Sequence, residues 1–251
     1  MEHKKPRLGM QLISYGKRQE EDLEGVLREV AEVGFKGVET GVLMDKVPAE
    51  ELRRILSETG LVLCGMHAGY QLVADDEMLS KAISYLKAVG SKFLICSGVA
   101  PGEGIERYDV AAERFNEVGR RCKEEGLVFL YHNHAWEFEE VEGTKGIHRL
   151  AERTDPELVK FCIDVYWVHV GGEDPAEFIR RYKERAPYFH FKDGGKGWFT
   201  ELGKGEVDLP KAKEAAVEAG AEWIIYEQDR TEKDPKESAE ESLQYLRGLG
   251  L

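Results

Sequence analysis

The segment YHNHAWEF at residues 131–138 places two histidines, an asparagine and a carboxylate directly after an apolar run. The chain contains seven histidines in all, so two of them within three residues are a local concentration. Imidazole and carboxylate groups bind metal ions and transfer protons near neutral pH. A strand that ends in such residues indicates an active site.

Polar side chains also follow the other apolar runs of the chain. The polar residues at these run ends are Gln11, Glu39, His67, His132, Asn133, His134, Glu137, Asp164, His190, Lys192, Asp193, Glu227 and Asp229. Some of them have a simpler structural explanation. Asp193 and Asp229 fit helix caps, and His67 taken alone fits a buried imidazole that donates to a carbonyl.

Three of these residues form a pattern that caps do not explain. Asp164, His190 and Glu227 each end an apolar run on three consecutive units. Buried ionisable groups that meet at one place are costly unless a cation or strong hydrogen bonds compensate them. Imidazole and oxygen ligands without thiolate suit Mn²⁺, Mg²⁺, Co²⁺ or Zn²⁺. The pattern therefore predicts a site for one divalent metal ion.

The fifth apolar run is expected to supply a fourth ligand. Side chains alternate along a strand, so His132 and His134 point to one side while Tyr131 and Asn133 point to the other. Either histidine fits the ligand position. The remaining histidines lie outside this pattern, with His3 in a terminal tail.

The elements that must position these groups repeat eight times. Eight apolar runs alternate with helix-like stretches whose apolar residues recur at three- and four-residue spacing. Continuous apolar strands that alternate with helices indicate parallel strands buried on both faces. Eight such units in 251 residues predict a (β/α)₈ barrel that forms a single domain over residues 1–251. An open doubly wound sheet is disfavoured, because no G-x-G-x-x-G follows the first run.

The composition of the chain limits the expected classes of binding partner and the expected cellular location. A net charge of −13 disfavours nucleic acid as a partner. No run approaches the length of about 20 apolar residues that a membrane span needs. The four cysteines are widely spaced and include no C-x-x-C pair, which favours free thiols and a cytoplasmic location.

Five motifs carry a resemblance to a known family over essentially the whole chain. They are YHNHAWEFE, CIDVYWVHVGGEDP, YFHFKDG, ELGKGEVDLP and WIIYEQD. In combination they resemble the xylose isomerase-like barrels, which include sugar phosphate isomerases/epimerases and 2-keto-myo-inositol dehydratase-like proteins. The resemblance implies a divalent metal, with Mn²⁺ expected first, held by side chains from strands 5 to 8.

The ligand set of well-studied relatives is Glu, Asp, His and Glu. By resemblance, Asp164, His190 and Glu227 match the last three ligands. The strand 5 glutamate usually lies six residues after the glycine that precedes the strand, and here that position holds His132. This departure removes one candidate general base, and His134 competes as the strand 5 ligand.

The chemistry implied by the resemblance is proton removal from a carbon next to a carbonyl, through a metal-stabilised enediolate. Return of the proton gives isomerisation or epimerisation, which is the predicted activity. Loss of hydroxide from a keto-sugar or keto-inositol is the alternative, favoured by the histidines of strand 5. An abasic-site endonuclease is disfavoured, because the loops GVAPGEGIE and VGGEDPAE are neutral or acidic.

Roles follow for the remaining polar residues. Glu227, His134 and His67 are the predicted proton-transfer groups, and the predicted substrate-binding residues are Glu39, Glu137, Lys192, Trp167 and Gln11. The expected substrate is a small carbohydrate or polyol-ketone, and a homodimer is a possible assembly. A non-phosphorylated substrate is favoured, since no cluster of arginines and lysines accompanies glycines at a helix start.

Overall fold

The eight apolar runs form eight parallel strands within residues 5–251, the part of the chain that this computed structural model describes. His3 lies outside the described residues. The strands are β1 (Arg7–Gln11), β2 (Gly37–Thr40), β3 (Val62–Gly69), β4 (Phe93–Ser97), β5 (Val128–His132), β6 (Val159–Asp164), β7 (Tyr188–Phe191) and β8 (Trp223–Tyr226). Each strand pairs with its neighbour in the chain, and β8 pairs with β1 to close a barrel. The predicted (β/α)₈ fold is confirmed.

The register of the strands brings the candidate ligands to one end of the barrel. Asp164 of β6 lies opposite His190 of β7, and His132 of β5 lies opposite Cys162 of β6. Because all eight strands are parallel, their carboxyl ends meet on the same rim. The residues that end the strands therefore surround one opening.

Helices cover the outside of the barrel. They are α1 (Leu23–Val33), α2 (Ala49–Thr59), α3 (Asp76–Val89), α4 (Glu106–Glu124), α5 (Gly146–Arg153), α6 (Pro175–Arg181), α7 (Leu209–Glu218) and α8 (Pro235–Gly248). Gly34 ends α1 in the left-handed conformation that glycine adopts most readily. Asp174 and Asp234 cap α6 and α8, whose first residues are prolines. Within the described residues, no helix has both the length and the apolar content to cross a bilayer.

The apolar side chains of the strands form two layers. Phe129 and Tyr131 point outward to the helices, whereas Leu130 points into the barrel with Phe93 and Trp223. The next inward position of β5 is His132. The interior is thus filled with apolar side chains at its lower levels and becomes polar only at the carboxyl end of the strands.

A hairpin after β7 was not predicted from the sequence. Residues Asp193–Gly195 pair with Trp198–Thr200 in antiparallel fashion. The Asp193 carboxylate accepts hydrogen bonds from the backbone N–H groups of Gly203, Gly205 and Val207. Asp193 therefore holds this loop in place and does not cap a helix.

Candidate active site

Four side chains from consecutive strands converge at the carboxyl end of the barrel. They are His132, Asp164, His190 and Glu227, and all four are buried. One ligand atom from each lies within 4.8 Å of the others. His132 Nε2 is 3.5 Å from Asp164 Oδ2, and His190 Nδ1 is 2.6 Å from Glu227 Oε2. We call these four residues the metal cluster.

The unpaired atoms of the metal cluster fit a cation. Both ring nitrogens of His132, Asp164 Oδ2 and His190 Nδ1 are buried without a hydrogen-bond partner among residues 5–251. The contact between His190 Nδ1 and Glu227 lacks hydrogen-bond geometry. Each unsatisfied buried polar group costs about 1–3 kcal/mol, so four in one place need an explanation. Imidazole nitrogens and carboxylate oxygens are the ligands of a divalent transition metal, and their lone pairs meet here.

The Asp164 carboxylate is oriented by the backbone around it. Its Oδ1 accepts a hydrogen bond from Trp167 N at 3.0 Å, so Asp164 caps the short helix Val165–Val170. The Asn133 side-chain amide accepts a hydrogen bond from the Asp164 backbone N–H at 3.0 Å and donates one to the Asp164 carbonyl at 3.2 Å. Burial raises the pKa of Asp164 to about 7, and the nearby Glu227 carboxylate adds to this effect. Oδ2 remains free to face the cluster.

Glu39 lies directly beneath the metal cluster and is fully buried. It accepts hydrogen bonds from His190 Nε2 and Tyr188 OH at 2.8 Å each, and from Gln11 Nε2 at 3.2 Å. Its Oε1 is also 3.1 Å from His67 Nδ1. Both carboxylate oxygens are occupied, and Gln11 is occupied with them. The predicted contact of Glu39 and Gln11 with substrate does not fit this placement.

The hydrogen bond to Glu39 selects the tautomer of the neutral His190 ring. Burial alone would raise the pKa of Glu39, but His190 and His67 lower it to about 2, so the carboxylate is ionised. The ionised carboxylate accepts a hydrogen bond from His190 Nε2–H, and in a neutral ring this leaves the lone pair on Nδ1. That lone pair points to the metal cluster. Glu39 thus orients the His190 ring.

Two further imidazoles flank the metal cluster without belonging to it. The ring centroids of His67 and His134 lie 4.8 and 4.9 Å from that of His132. His67 Nε2 is 3.0 Å from Ser97 Oγ, and His134 Nδ1 has no hydrogen-bond partner in the described chain. His134 lies beyond the end of β5, so His132 occupies the strand 5 position of the cluster. Burial lowers the pKa of His134 to about 4, which keeps the ring neutral at pH 7.

Lys192 is the buried cation of the site. Its Nζ is 3.1 Å from Glu227 Oε1 and also pairs with the Asp229 carboxylate. Burial opposes its charge, yet Glu227, Asp164 and Asp229 together raise the pKa of Lys192. The Trp167 ring centroid lies 4.6 Å from Nζ. Lys192 and Trp167 therefore sit beside the cluster, and Asp229 pairs with Lys192 without capping a helix.

Glu137 occupies the other side of β5, away from the metal cluster. Its carboxylate accepts hydrogen bonds from Tyr131 OH at 2.7 Å and from His134 N at 2.8 Å. It is fully buried, and burial raises the pKa of Glu137 to about 8. The predicted substrate contact of Glu137 does not fit this position. Glu137 instead holds the backbone of His134.

The sequence analysis did not single out Ser97 or Tyr188, and it named Asn133 without a supporting role. Alternation along β5 predicts that Asn133 faces away from His132, but nothing in the sequence shows that it forms hydrogen bonds with the backbone of Asp164. Tyr188 bonds a carboxylate 149 positions away. Contacts of that range become visible only when the barrel closes.

A family model described as a xylose isomerase-like TIM barrel matches residues 27–249. The chain belongs to this family. The family predicted from the sequence motifs is thereby confirmed, and the metal cluster lies where the strands of a xylose isomerase-like barrel end.

Named relatives of this xylose isomerase-like chain include two inosose dehydratases. That of Geobacillus kaustophilus (strain HTA426) is 29% identical over an alignment that covers 84% of this chain and 80% of the relative. That of Lacticaseibacillus casei is 27% identical over an alignment that covers 89% of this chain and 88% of the relative. Among solved structures, a sugar phosphate isomerase/epimerase of Parabacteroides distasonis ATCC 8503 has a TM-score of 0.85 at 23% identity, covering 98% of this chain and 96% of that one. An identity that low shows the shared fold alone.

Proposed function

We propose that this chain is a metal-dependent dehydratase that removes water from a keto-polyol or keto-sugar. The carrying observation is the position of two imidazoles, His67 and His134, beside a cluster whose unpaired atoms fit a divalent cation. Elimination needs one group that accepts a proton from carbon and one that protonates the leaving hydroxyl. The names of the two dehydratase relatives support the same reaction class.

His132, Asp164, His190 and Glu227 would hold the metal, for which we propose Mn²⁺. When bound, a divalent cation polarises the substrate carbonyl as a Lewis acid, which acidifies the neighbouring carbon. Glu39 keeps His190 in the ligand tautomer, and the Lys192 ammonium places a positive charge beside Glu227.

His134 is the proposed base. Its Nδ1 has no partner among the described residues, and its ring is neutral at pH 7. Its backbone is fixed by Glu137, so the ring is held beside the cluster. Groups positioned in this way typically contribute about 10²–10⁴-fold to a proton transfer.

His67 is the proposed acid. Its Nδ1 faces the Glu39 carboxylate, which leaves Nε2, now beside Ser97 Oγ, as the atom that exchanges a proton with substrate. A hydroxyl that leaves from the carbon beyond the abstracted proton would take its proton from this nitrogen.

Isomerisation or epimerisation, the activity predicted from the sequence, is the second candidate. It is favoured by the same two imidazoles, because a two-base epimerisation also needs proton-exchanging groups on either side of the reacting carbon. The paired glutamate bases of well-studied relatives are not available, since His132 stands at the strand 5 position.

One experiment separates the two candidates. Purified protein is analysed for its metal content and then incubated in D₂O with 2-keto-myo-inositol and with a panel of ketoses, followed by proton NMR. The dehydratase proposal expects a product that has lost water. Deuterium wash-in with the carbon skeleton and hydroxyl count unchanged selects the isomerase or epimerase. If the protein contains metal and no substrate of the panel loses water or takes up deuterium, both candidate functions are contradicted.

A further inference from the structure

A hydroxyl, an imidazole and a carboxylate form a hydrogen-bonded chain beside the metal cluster. Ser97 ends β4, His67 lies near the end of β3, and Glu39 lies in β2. Ser97 Oγ is 3.0 Å from His67 Nε2, and His67 Nδ1 is 3.1 Å from Glu39 Oε1. None of the three belongs to the metal cluster. A serine, a histidine and a carboxylate joined in this order are the arrangement that activates a serine as a nucleophile.

The direction of these two hydrogen bonds follows from the other partners of Glu39. Its carboxylate oxygens already accept hydrogen bonds from Gln11 Nε2 and Tyr188 OH. A carboxylate held by such donors is an acceptor toward His67 as well, so Nδ1 carries the hydrogen and donates it to Oε1. Nε2 of the neutral ring then directs its lone pair toward Ser97, whose hydroxyl donates to it. The imidazole is therefore oriented to accept the serine proton.

The three groups differ in exposure in the order that such an arrangement needs. The Glu39 carboxylate is fully buried, the His67 side chain is 16% exposed, and Ser97 is half-buried at the end of its strand. The hydroxyl is thus the member that a ligand at the barrel mouth can reach. The His132 ring, whose centroid lies 4.8 Å from that of His67, narrows the space beside it, so short acyl groups fit best.

The chain turns sharply after Ser97. Gly98 has a φ of 85°, in the left-handed region that glycine adopts most readily. The backbone N–H of Val99, which follows this turn, has no hydrogen-bond partner among residues 5–251. Backbone N–H groups close to a nucleophile stabilise the negative oxygen that develops when an acyl carbon is attacked. Val99 N–H is a free donor of this kind, two residues after Ser97.

We infer that Ser97, His67 and Glu39 form a nucleophilic triad that hydrolyses esters of short carboxylic acids. Ser97 Oγ bonds to the acyl carbon and its proton passes to His67 Nε2. The ester C–O bond then breaks as the leaving alcohol takes that proton. Water attacks the acyl group on Ser97 in the same way, and His67 returns a proton to Oγ as the carboxylic acid leaves. This activity uses neither the metal cluster nor a keto-polyol, so it is separate from the proposed dehydration.

A covalent probe tests the triad. The full chain, as purified, is incubated with an alkyl fluorophosphonate, whose phosphorus bonds to an activated serine oxygen as fluoride leaves. We expect one adduct per chain by intact mass, located at Ser97 by peptide mass spectrometry. Ser97→Ala should abolish the adduct and lower kcat/KM for p-nitrophenyl acetate at least about 100-fold. His67→Gln should do the same, because the serine proton then has no acceptor.

Ser97→Cys supplies a readout that depends on a gain of reactivity. The four native cysteines are buried, so their background reaction is low. We expect the introduced thiol to react with iodoacetamide at least about 10-fold faster than in the double variant that also carries His67→Gln, because the imidazole takes up the thiol proton. Circular dichroism melting curves of each variant separate loss of reactivity from loss of fold.

Ser84→Ala is the matched control, because Ser84 is an exposed serine on α3. It should leave labelling and ester hydrolysis unchanged. The inference is overturned if the probe leaves Ser97 unmodified in the folded chain, or if Ser97→Ala hydrolyses the ester at the wild-type rate. Ser97 would then be only a hydrogen-bond partner of His67. Since no keto-polyol is present in these measurements, a failed dehydratase assay leaves their result standing.

Discussion

Leu130 and His132 occupy successive inward positions of β5, yet their surroundings differ in kind. Leu130 packs among the apolar side chains that fill the barrel, including Phe93 and Ile95. His132, one layer higher, has two buried ring nitrogens without hydrogen-bond partners in the described residues. The same change occurs on β6, where Cys162 lies in the apolar layer and Asp164 in the polar one.

One strand thus contributes to both the stability of the barrel and its candidate active site. Burial of apolar surface contributes roughly 25 cal/mol for each Å², so the lower layer stabilises the barrel. The upper layer holds ionisable groups whose burial costs free energy unless a cation or strong hydrogen bonds compensate it. A well-packed lower layer can offset that cost. The two layers should therefore respond differently to mutation.

The largest expected effect is the loss of metal from the upper layer. Asp164→Asn keeps the cap to Trp167 but removes a charged ligand, so we expect bound metal to disappear. Turnover should fall by more than about 10³-fold, beyond the 10–100-fold typical of residues that only orient a ligand. Elemental analysis and initial rates measure both. Asp45→Asn, at a side chain that is 53% exposed, is the matched control. A variant at Asp164 that keeps metal and turnover would refute the ligand assignment.

In the lower layer, Leu130→Ala should lower stability and spare the metal. A cavity at a fully buried leucine costs about 2–5 kcal/mol in the free energy of unfolding. Urea denaturation measures this loss, and metal content should remain one ion per chain. Val62→Ala, at a strand position that is 44% exposed, should change stability by less than about 0.5 kcal/mol. The separation of the two layers fails if Leu130→Ala releases the metal from a protein of unchanged stability.

A pH dependence should come from Glu137, which lies outside the barrel interior. Burial raises the pKa of Glu137 to about 8. Between pH of about 4.5 and 8, the folded chain retains a proton that the unfolded chain has released. This contribution to the free energy of unfolding is therefore present at low pH and is lost as pH rises, by a few kcal/mol in order of magnitude.

Glu137→Gln imitates the protonated state and should flatten this decline. The measurement is urea denaturation at pH 5, 6, 7 and 8 with a chelator present, so that metal binding does not contribute. Glu117→Gln, at a side chain that is 48% exposed, should follow the wild-type curve. Parallel curves for Glu137→Gln and the wild type would mean that Glu137 titrates alike in both states.

The smallest effect is expected beneath the cluster, at Glu39. Glu39→Gln keeps the shape of the side chain but removes the charge that holds His190 in the ligand tautomer. We expect metal affinity to fall about 10–100-fold, measured by competition with a chelator, with one ion still bound at saturation. Glu222→Gln, a 40% exposed side chain, is the control. An unchanged metal affinity with a raised KM would restore the direct substrate contact predicted from the sequence.

The sequence predicted the barrel because its signal is periodic and local. Apolar runs such as WIIYEQD show where strands lie, and the polar residue at each run end shows which side chains reach the rim. This is sufficient to predict that Asp164, His190 and Glu227 lie together. It was not sufficient for Glu39 and Glu137, because a carboxylate at a strand end looks the same whether it faces substrate or a buried donor.

The sequence by itself determined the eightfold alternation of strands and helices and the chemical types of the four clustered side chains. Both depend on residues that are close together in the chain. Only the tertiary structure decided that His132 belongs to the cluster while His134 lies beside it. It also decided that Glu39 accepts a hydrogen bond from His190. Those outcomes depend on where β5 ends and on contacts across the closed barrel. A barrel brings such residues together through the register of its neighbouring strands. That register depends on pairs of strands, so it cannot be read from one segment of the sequence.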